Sequence, residues 1–396
     1  MAKKKKLNKG LAVCCAILFS LVGVAVGVFG NIYFFSDAGY VYPERHVHNS
    51  SISAGDINVQ AIKDEDLSIH FLELGNKYTG DCTFIKVGEN EILIDAGSRT
   101  SSIDPIHDYI TDYITDGELE YVIVTHAHRD HYAAFATENS LFDALNNSGI
   151  SIGNVITFSN TNQNKEKGLY KAFEDELYEL EENSTIIETV LAYCNETGSI
   201  KTIDLSGDGS IELEFLYQKF YKEEAETENN YSVCCIINQY DLMNVENNRH
   251  YLFTGDLEYT GEESLIEYNN LPKVELFKAG HHGSKTSTSA SLLEIIDPEH
   301  ICVCACAGSP EYTKNTKNQF PTQEFIDRVA EYTDSVYVTT LCVDYDKGEY
   351  QSFNGNIIVS ASLGEATVIS CAGSKLKLKD SEWFKSNRVC PQKWAS

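Results

Sequence analysis

The sequence predicts an α/β protein in which two sheets are covered by helices on their outer faces. Three observations lead there. Short β-rich runs broken by Gly, Asn and Asp are interspersed with stretches of helical periodicity, in a mixed order. One run, "YVIVT" (121–125), is almost wholly apolar, as a strand buried on both faces would be. Four runs end in histidine or aspartate, which gathers chemistry at strand ends.

The chain opens "MAKKKKLNKGLAVCCAILFSLVGVAVGVFGNIYFF", with no charge between Lys9 and Asp37. The apolar stretch from Leu11 to Phe35 exceeds the roughly 20 residues a helix needs to cross a bilayer. Lysines before it and acids after it place the N-terminus in the cytoplasm and the remainder outside. Residues 1–35 are therefore expected to be a basic stub and a single-pass transmembrane signal anchor. A signal peptide cleaved near "SDA" (36–38) would export the body equally. Residues 36–66 are polar and irregular and read as a linker. Residues 67–372 read as one domain, and 373–396 as a short tail whose Trp383 and Phe384 pack back onto it.

Within the domain, strands are expected at "SIHFLEL" (68–74), "CTFIKV" (82–87), "EILIDAG" (91–97) and "YVIVT" (121–125). In the second half they are expected at "IELEFLY", "SVCCIINQY", "HYLFTGD", "KVELFKAG", "HICVCACAG" and "SVYVTT". Helices are expected at "DYITDYITDG" (108–117), "LFDALNNSG" (141–149), "GLYKAFEDELYELEEN" (168–183), "TSASLLEIID" and "PTQEFIDRVAEY". "ICVCAC" (301–306) alternates, so Cys302, Cys304 and Cys306 share a strand face as small buried residues. None of the cysteines has the paired C-x₂-C spacing of a zinc ribbon. The formal charge is −28, and five of the 31 Lys and Arg lie in the first nine residues, so the rest is more acidic still. A broad basic face for non-specific nucleic-acid binding is excluded. An anion held locally by metal ions is not.

The strand ends supply metal ligands. In "THAHRDHY" (125–132), His126 and His128 lie one residue apart on an extended segment and point the same way, so they can clasp one ion. Asp130 and His131 follow and can turn to a second ion. "YLFTGD" ends in Asp256, whose two oxygens can bridge both ions. "VELFKAGHHGSKTSTS" ends its strand at His281 and His282, either of which can complete the second ion. Asp95, at the end of "LIDAG", suits a carboxylate that holds a ligating histidine by its other ring nitrogen.

The set "LIDAG … THAHRDH … FTGD … HHGS" resembles the metallo-β-lactamase superfamily, and within it the ComEC-type extracytoplasmic hydrolase domain and its free-standing relatives. "GNKYTGD" (75–81) is similar to that group's GQGD-like turn with an insertion, "NNYS" (229–232) to its Asn-rich strand, and "HHGSKTS" matches residue for residue. The resemblance spans residues 67–370 and implies the αβ/βα four-layer sandwich of the metallo-β-lactamase fold. It implies His126, His128, Asp130, His131, Asp256 and His282 as ligands of two divalent ions, zinc or alternatively manganese. Aligning "GHH" (280–282) with the superfamily's "GGH" makes His282 the ligand and turns His281 toward substrate. Asp130 and His281 are the catalytic candidates. Lys278, Ser284, Lys285, Asn230 and Ser232 are candidates to support the ligands or to meet substrate. "GSKTSTS" is either an anion site at a helix N-terminus or simple N-capping.

The chain departs from the pattern in several places. "YAA" follows the D-H pair instead of Gly-Gly, and "QFP" (319–321) stands where relatives carry GHP. The usual third histidine of the first ion is missing. The only histidine in that interval, His250, lies six residues before Asp256 on one strand, about 20 Å away at ~3.3 Å per residue. A single apolar span excludes the ComEC channel.

These readings predict a membrane-anchored, extracytoplasmic dinuclear hydrolase of phosphodiesters, either nucleic acid or a phosphorylated wall polymer. A lactam, lactone or ester hydrolase of the same fold, and a non-catalytic binding module on a degenerate metal site, are the alternatives.

Overall fold

The computed structural model describes residues 66–395, apart from residue 138. The stub and apolar span expected over 1–35, and the linker up to residue 65, lie outside the described residues. Among the described residues no helix is long and apolar enough to cross a membrane.

The strands are β1 (Leu67–Phe71), β2 (Thr83–Val87), β3 (Asn90–Ile94), β4 (Glu118–Val124), β5 (Ser151–Thr157) and β6 (Ile186–Thr189), then a two-residue hairpin of β7 (Cys194–Asn195) and β8 (Gly198–Ser199). The second half adds β9 (Ile203–Asp204), β10 (Ile211–Leu216), β11 (Cys234–Gln239), β12 (Arg249–Phe253), β13 (Leu276–Lys278), β14 (His300–Ala307), β15 (Val336–Asp344) and β16 (Glu349–Ser352). The chain then returns to the first sheet as β17 (Ile357–Ala361) and β18 (Val368–Cys371). The first sheet runs β18-β17-β1-β2-β3-β4-β5-β6 and the second β16-β15-β14-β13-β12-β11-β10-β9. Both are mixed. β3 to β6 are parallel in the first, and β12 to β15 in the second.

The helices are α1 (Ile103–Thr111), α2 (Arg129–Tyr132), α3 (Leu141–Asn147), α4 (Gly168–Glu182), α5 (Tyr259–Tyr268), α6 (Ala290–Ile296), α7 (Gln323–Val329) and α8 (Glu382–Asn387). Strand alternation sorts the layers. On β14, Cys302 and Cys304 join the core with residues of the first sheet such as Ile69 and Phe84. Ile301, Val303 and Ala305 join instead a core with Leu265 of α5, Leu292 and Ile296 of α6, and Phe325 and Val329 of α7. On the other sheet α1, α3 and α4 bury Ile106, Ile110, Leu141, Leu145, Phe173 and Leu180. Cys306 is buried outside both clusters, past an irregularity in the β14–β15 pairing. Every described cysteine is a free thiol, and all but Cys342 and Cys390 are buried.

The tail folds back onto the second sheet's helical side. Leu378, Phe384 and Trp394 are buried there, and Trp394 Nε1 donates to the Thr333 carbonyl. Trp383 is half-buried under the Arg388 guanidinium.

The helix expected over 108–117 is displaced. α1 starts at Ile103 with Pro105 in its first turn, where a missing N–H costs nothing, and it ends at Thr111. β5, β6, β16, β17, β18 and α5 were not expected from the sequence. Gly153 and Asn154 interrupt the β5 pattern, and β6 and β16 are short edge strands with exposed positions. α5 carries Gly261, where a Cβ would lie 2.3 Å from Leu257 Cδ1.

One buried group gives this fold a pH signature. His70 on β1 is fully buried, bonded to Tyr109 and Ser68 (2.8 Å each) and ringed by Phe84, Tyr109 and Tyr113. Burial, and then the Lys86 charge, lowers its imidazole to about 3. An unfolded histidine takes its proton near 6.5, so the folded state binds fewer protons between those values. The contribution of His70 is therefore whole above about pH 6.5 and is lost as pH falls toward 3, at up to about 1.4 kcal/mol per pH unit. Urea unfolding of His70→Gln should show a flatter stability profile than wild type between pH 6.5 and 4. Parallel profiles would contradict this account.

Candidate metal centre

Four parallel strands end at one place. β3 and β4 are neighbours in the first sheet, and β12 and β13 are neighbours in the second. Asp95 follows β3, His126 follows β4, Asp256 follows β12 and His281 follows β13. Loops at the carboxyl ends of parallel strands are where such sheets gather ligands.

Each imidazole is aimed by what its other nitrogen touches. Asp95, held at a left-handed φ of 61°, accepts from Thr125 N (2.8 Å) and Thr125 Oγ1 (2.7 Å) and lies 2.7 Å from His131 Nδ1. His131 Nε2 then faces Asp256 Oδ2 at 3.1 Å. His282 Nδ1 donates to the Cys304 carbonyl (2.9 Å), and its Nε2 lies 3.3 Å from both Asp130 Oδ2 and Asp256 Oδ2. The H-x-H segment is extended at His128 and brings His126 Nε2 within 3.1 Å of His128 Nδ1, two donor atoms turned to one point. Asp256 N donates to Ser232 Oγ (3.0 Å). Gly255, at φ 53°, lets the chain pass, since a Cβ there would lie 2.9 Å from Ser232 Oγ and 3.0 Å from Thr125 Cβ.

The donor set fits divalent ions. His131 Nε2, His282 Nε2 and Asp256 Oδ1 are buried and have no hydrogen-bond partner. Orphaned buried polar atoms are costly unless something satisfies them. Imidazole nitrogen with carboxylate oxygen is the donor chemistry of zinc and similar ions. The electrostatics agree. Burial opposes a charged His131, yet Asp256, Asp95 and Asp81 raise it to about 10. Burial likewise opposes charge on His282, which Asp256 and Asp81 raise well above the usual range. Burial, with His131 and His128 nearby, holds His126 well below it. Burial disfavours charge on Asp256, but His131, His282 and His281 hold it well below the carboxylate range. The fold thus concentrates negative charge that a cation would meet.

Asp81, Asp256, His131 and His282 lie close enough to share an ion. Asp81, however, faces the Nδ1 side of the rings, 3.2 Å from His282 Nδ1 and 3.7 Å from His131 Nδ1. It stands behind the histidines and holds them. It also pairs with buried Lys278, whose Nζ is 3.7 Å from Asp256 Oδ1. Lys278 is 3% exposed, so it serves the carboxylates and does not reach substrate.

The other candidates scatter. Ser232 supports Asp256 and lies 3.4 Å from His126 Nδ1. Asn230 accepts from Glu258 N and donates to Thr260 Oγ1. Ser284 caps a local turn by accepting from Thr286 N. Lys285 is exposed and lines a neighbouring hollow of about 690 Å³. Of the two readings of "GSKTSTS", the structure shows capping, with the helix amides taken by the protein itself. Buried Glu262 accepts from Thr288 N (2.5 Å) and Ser289 N (2.8 Å), and Ser289 caps α6.

A cavity of about 400 Å³ opens over Asp130, Asp256 and His281. At its mouth stand residues that no sequence pattern singles out. Tyr312 donates to Asp130 Oδ2. Arg99 stacks on Tyr78 and pairs with Glu311, and Arg129 is exposed at the rim. The only available signals were the position of Arg99 just past "LIDAG" and of Asp81 at the end of the GQGD-like turn; Tyr312 and Glu311 sit in a loop without pattern.

Residues 75–140 match the family model of the Metallo-beta-lactamase superfamily, a stretch holding both "LIDAG" and "THAHRDH". No curated protein sequence matches the chain. Among solved structures, the metallo-β-lactamase fold protein YhfI from Bacillus subtilis is similar at 9% identity and a TM-score of 0.38, over 72% of this chain and 98% of that one. CmlA, a diiron β-hydroxylase from Streptomyces venezuelae, is similar at 13% identity and a TM-score of 0.35, over 62% and 46%. MEM-A1, a subclass B3 metallo-β-lactamase from a soil metagenome library, is similar at 10% and 0.31, over 54% and 76%. The family match is confined to residues 75–140, and the α/β architecture of two mixed sheets is compatible with it.

Proposed function

We propose that the chain is a dinuclear metal-dependent hydrolase of phosphodiesters, held at the outer face of a membrane by residues 11–35 and kin to the ComEC-type hydrolases. The observation that carries this reading is the convergence of His131 and His282 on Asp256 Oδ2, with Asp130 against His282 and His126 against His128 at the end of β4. His126 and His128 would hold one ion, Asp130, His131 and His282 the other, with Asp256 between them. When bound, two such ions supply Lewis-acid stabilisation of a charged phosphoryl centre and make water nucleophilic near neutral pH.

The chain's own groups do the rest. Asp95 and Asp81 keep the imidazoles in register and Lys278 offsets part of the buried negative charge. At the mouth of the cavity Tyr312 holds Asp130 through its phenolic O–H, Arg99 is paired with Glu311, and exposed Arg129 supplies positive charge. In a chain of charge −28, an arginine at this opening favours an anionic substrate once ions offset the carboxylates beside it.

The test is a panel on zinc- or manganese-loaded full chain: a chromogenic phosphodiester, plasmid DNA, a chromogenic cephalosporin and a lactone. Turnover of the diester is expected, with a rate on DNA that stays flat or rises from low to moderate salt. A basic nucleic-acid binder would lose affinity instead. Here salt mainly screens repulsion between the acidic body and the polyanion, with a Debye length of ~10 Å at 0.1 M. Turnover of the cephalosporin or lactone alone would move the activity to another bond.

A further inference from the structure

Away from the strand-end centre, the first sheet carries a row of charged residues. Lys86 on β2 pairs in register with Glu91 on β3, and Glu120 on β4 stands beside Glu91, one position before the Ile92–Tyr121 pair. Both acids lie in the first halves of parallel strands whose far ends lead to Asp95 and His126. Asp116 belongs to the loop that runs from α1 into β4. One side-chain oxygen from each of Glu91, Asp116 and Glu120 lies within 4.8 Å of the other two. We infer that these three carboxylates form a cation site separate from the histidine centre, suited to a hard divalent ion such as calcium.

Exposed acids often cluster without an ion, and Asp116 is exposed. Glu91 is different. It is 0% exposed, and its Oε2 has no hydrogen-bond partner. Lys86 Nζ pairs with Oε1 only, which leaves the second oxygen of a buried carboxylate unsatisfied beside two more carboxylates. An orphaned buried oxygen is costly, and like charges side by side on neighbouring strands add to the cost. Burial pushes the Glu91 carboxyl up to about 8 against the pull of Lys86, and burial raises Glu120 too. The fold thus holds these acids where full ionisation needs a further positive charge.

The neighbouring carboxylates are held in place. Glu120 Oε2 accepts from Glu91 N (2.7 Å), and the Glu120 carbonyl accepts from Asn154 Nδ2 (3.1 Å). Asp116 Oδ1 accepts from Glu118 N (3.1 Å). Three ionised carboxylates against one ammonium leave two negative charges, which one divalent ion balances. The donors are all oxygen, the chemistry of calcium, magnesium or manganese rather than zinc. Calcium takes about 6–8 oxygen ligands in flexible geometry, and water can reach the group from the Asp116 side. An ion here would tie the loop before β4 to β3, at the ends opposite Asp95 and His126. The rival arrangement is a proton shared between Glu91 and Glu120, with no ion.

Calcium titration of the full chain by calorimetry, with zinc in excess to fill the histidine centre, tests this without any substrate. Wild type should bind one equivalent with a Kd of about 10⁻⁴–10⁻³ M, the weak end for oxygen sites, and calcium should raise its melting temperature. Asp116→Asn and Glu120→Gln should weaken calcium by about tenfold or more, since ligand charge sets the affinity of such sites. Glu91→Gln, which imitates the protonated carboxyl, should lose the calcium response. Asp116 is at the surface and Asn can keep the bond to Glu118 N, so that variant should melt cooperatively without calcium, as wild type does. Asp256→Ala, altered only at the other centre, should bind calcium like wild type. No calcium binding by wild type would overturn the assignment in favour of the shared proton. Wild-type affinity in Glu91→Gln would overturn it by removing the buried carboxylate from the site. Calcium binding lost in Asp256→Ala but kept in Asp116→Asn would overturn it as well, by placing the ion at the strand ends.

Discussion

Asp256→Ala is expected to strip both metal equivalents and to lower turnover by about a thousandfold or more. Losing one charge-stabilising group at an active site costs roughly 10²–10³, and Asp256 serves more than one partner. Its Oδ2 faces His131, His282 and His281, its Oδ1 lies beside Lys278, and its backbone N–H is fixed by Ser232. Removing it leaves Lys278 with Asp81 alone and frees two buried imidazoles. Asp256→Asn keeps the volume and separates loss of charge from loss of packing. Metal analysis together with initial rates is the measurement. A variant that holds both ions and keeps more than a tenth of wild-type turnover would remove Asp256 from the centre.

Gly97→Ala is expected to be the most damaging small substitution near the site. A Cβ there would lie 1.6 Å from the Asp130 carbonyl oxygen and 2.2 Å from its carbon. These are backbone atoms, so no rotamer change relieves the clash. Three segments interlock at this point: Asp81 N donates to the Asp130 carbonyl (2.9 Å), Ala96 N to the His131 carbonyl (2.7 Å) and Gly97 N to the Asp81 carbonyl (2.9 Å). A single methyl therefore pushes on the segments that carry Asp81, Asp95, Asp130 and His131. Overpacking without room to relax costs ~1–3 kcal/mol or more, and the large destabilisations come from such sites. The folded fraction should also lose the ion held by Asp130 and His131 before the one held by His126 and His128. Thermal unfolding and metal titration of the variant check both statements. A wild-type melting temperature would contradict the clash.

Which parts of this were readable in the sequence follows from how local the cause is. The strand-end groups stood out because a buried strand followed at once by His or Asp is a contrast within a few residues, as in "YVIVTHAHRDH". Two helix-covered sheets were legible from strand and helix order, whereas the four-layer sandwich was what the resemblance implied. Asp81, Glu258 and Tyr312 owe their places to segments far apart in the chain, as when Tyr312 meets Asp130 across 182 positions. No short-range pattern marks such a meeting. The late strands β16 to β18 were missed because edge and returning strands gain their structure from pairing, as β17 does against β1, more than from their own residues. "GSKTSTS" left two readings open because a run of hydroxyls before a helix looks the same whether its amides await a ligand or already hold a side chain, and the structure shows capping.

That last case bears on how such a protein can change its clientele. The amide end of α6 is sealed by a carboxylate from α5 that is itself wholly buried, so no incoming anion can use it without dismantling the packing of two helices. On the proposed function, selectivity would then rest on groups at the cavity mouth, Arg99, Arg129 and Tyr312. Arg129 and Tyr312 are exposed, and Arg99 and Tyr312 sit on connecting loops rather than in the cores. Of the three, Arg129 is the least tied to its surroundings, since Arg99 pairs with Glu311 and Tyr312 holds Asp130. There the catalytic frame and the choice of customer can drift separately, as a tool handle stays fixed while its bits are exchanged.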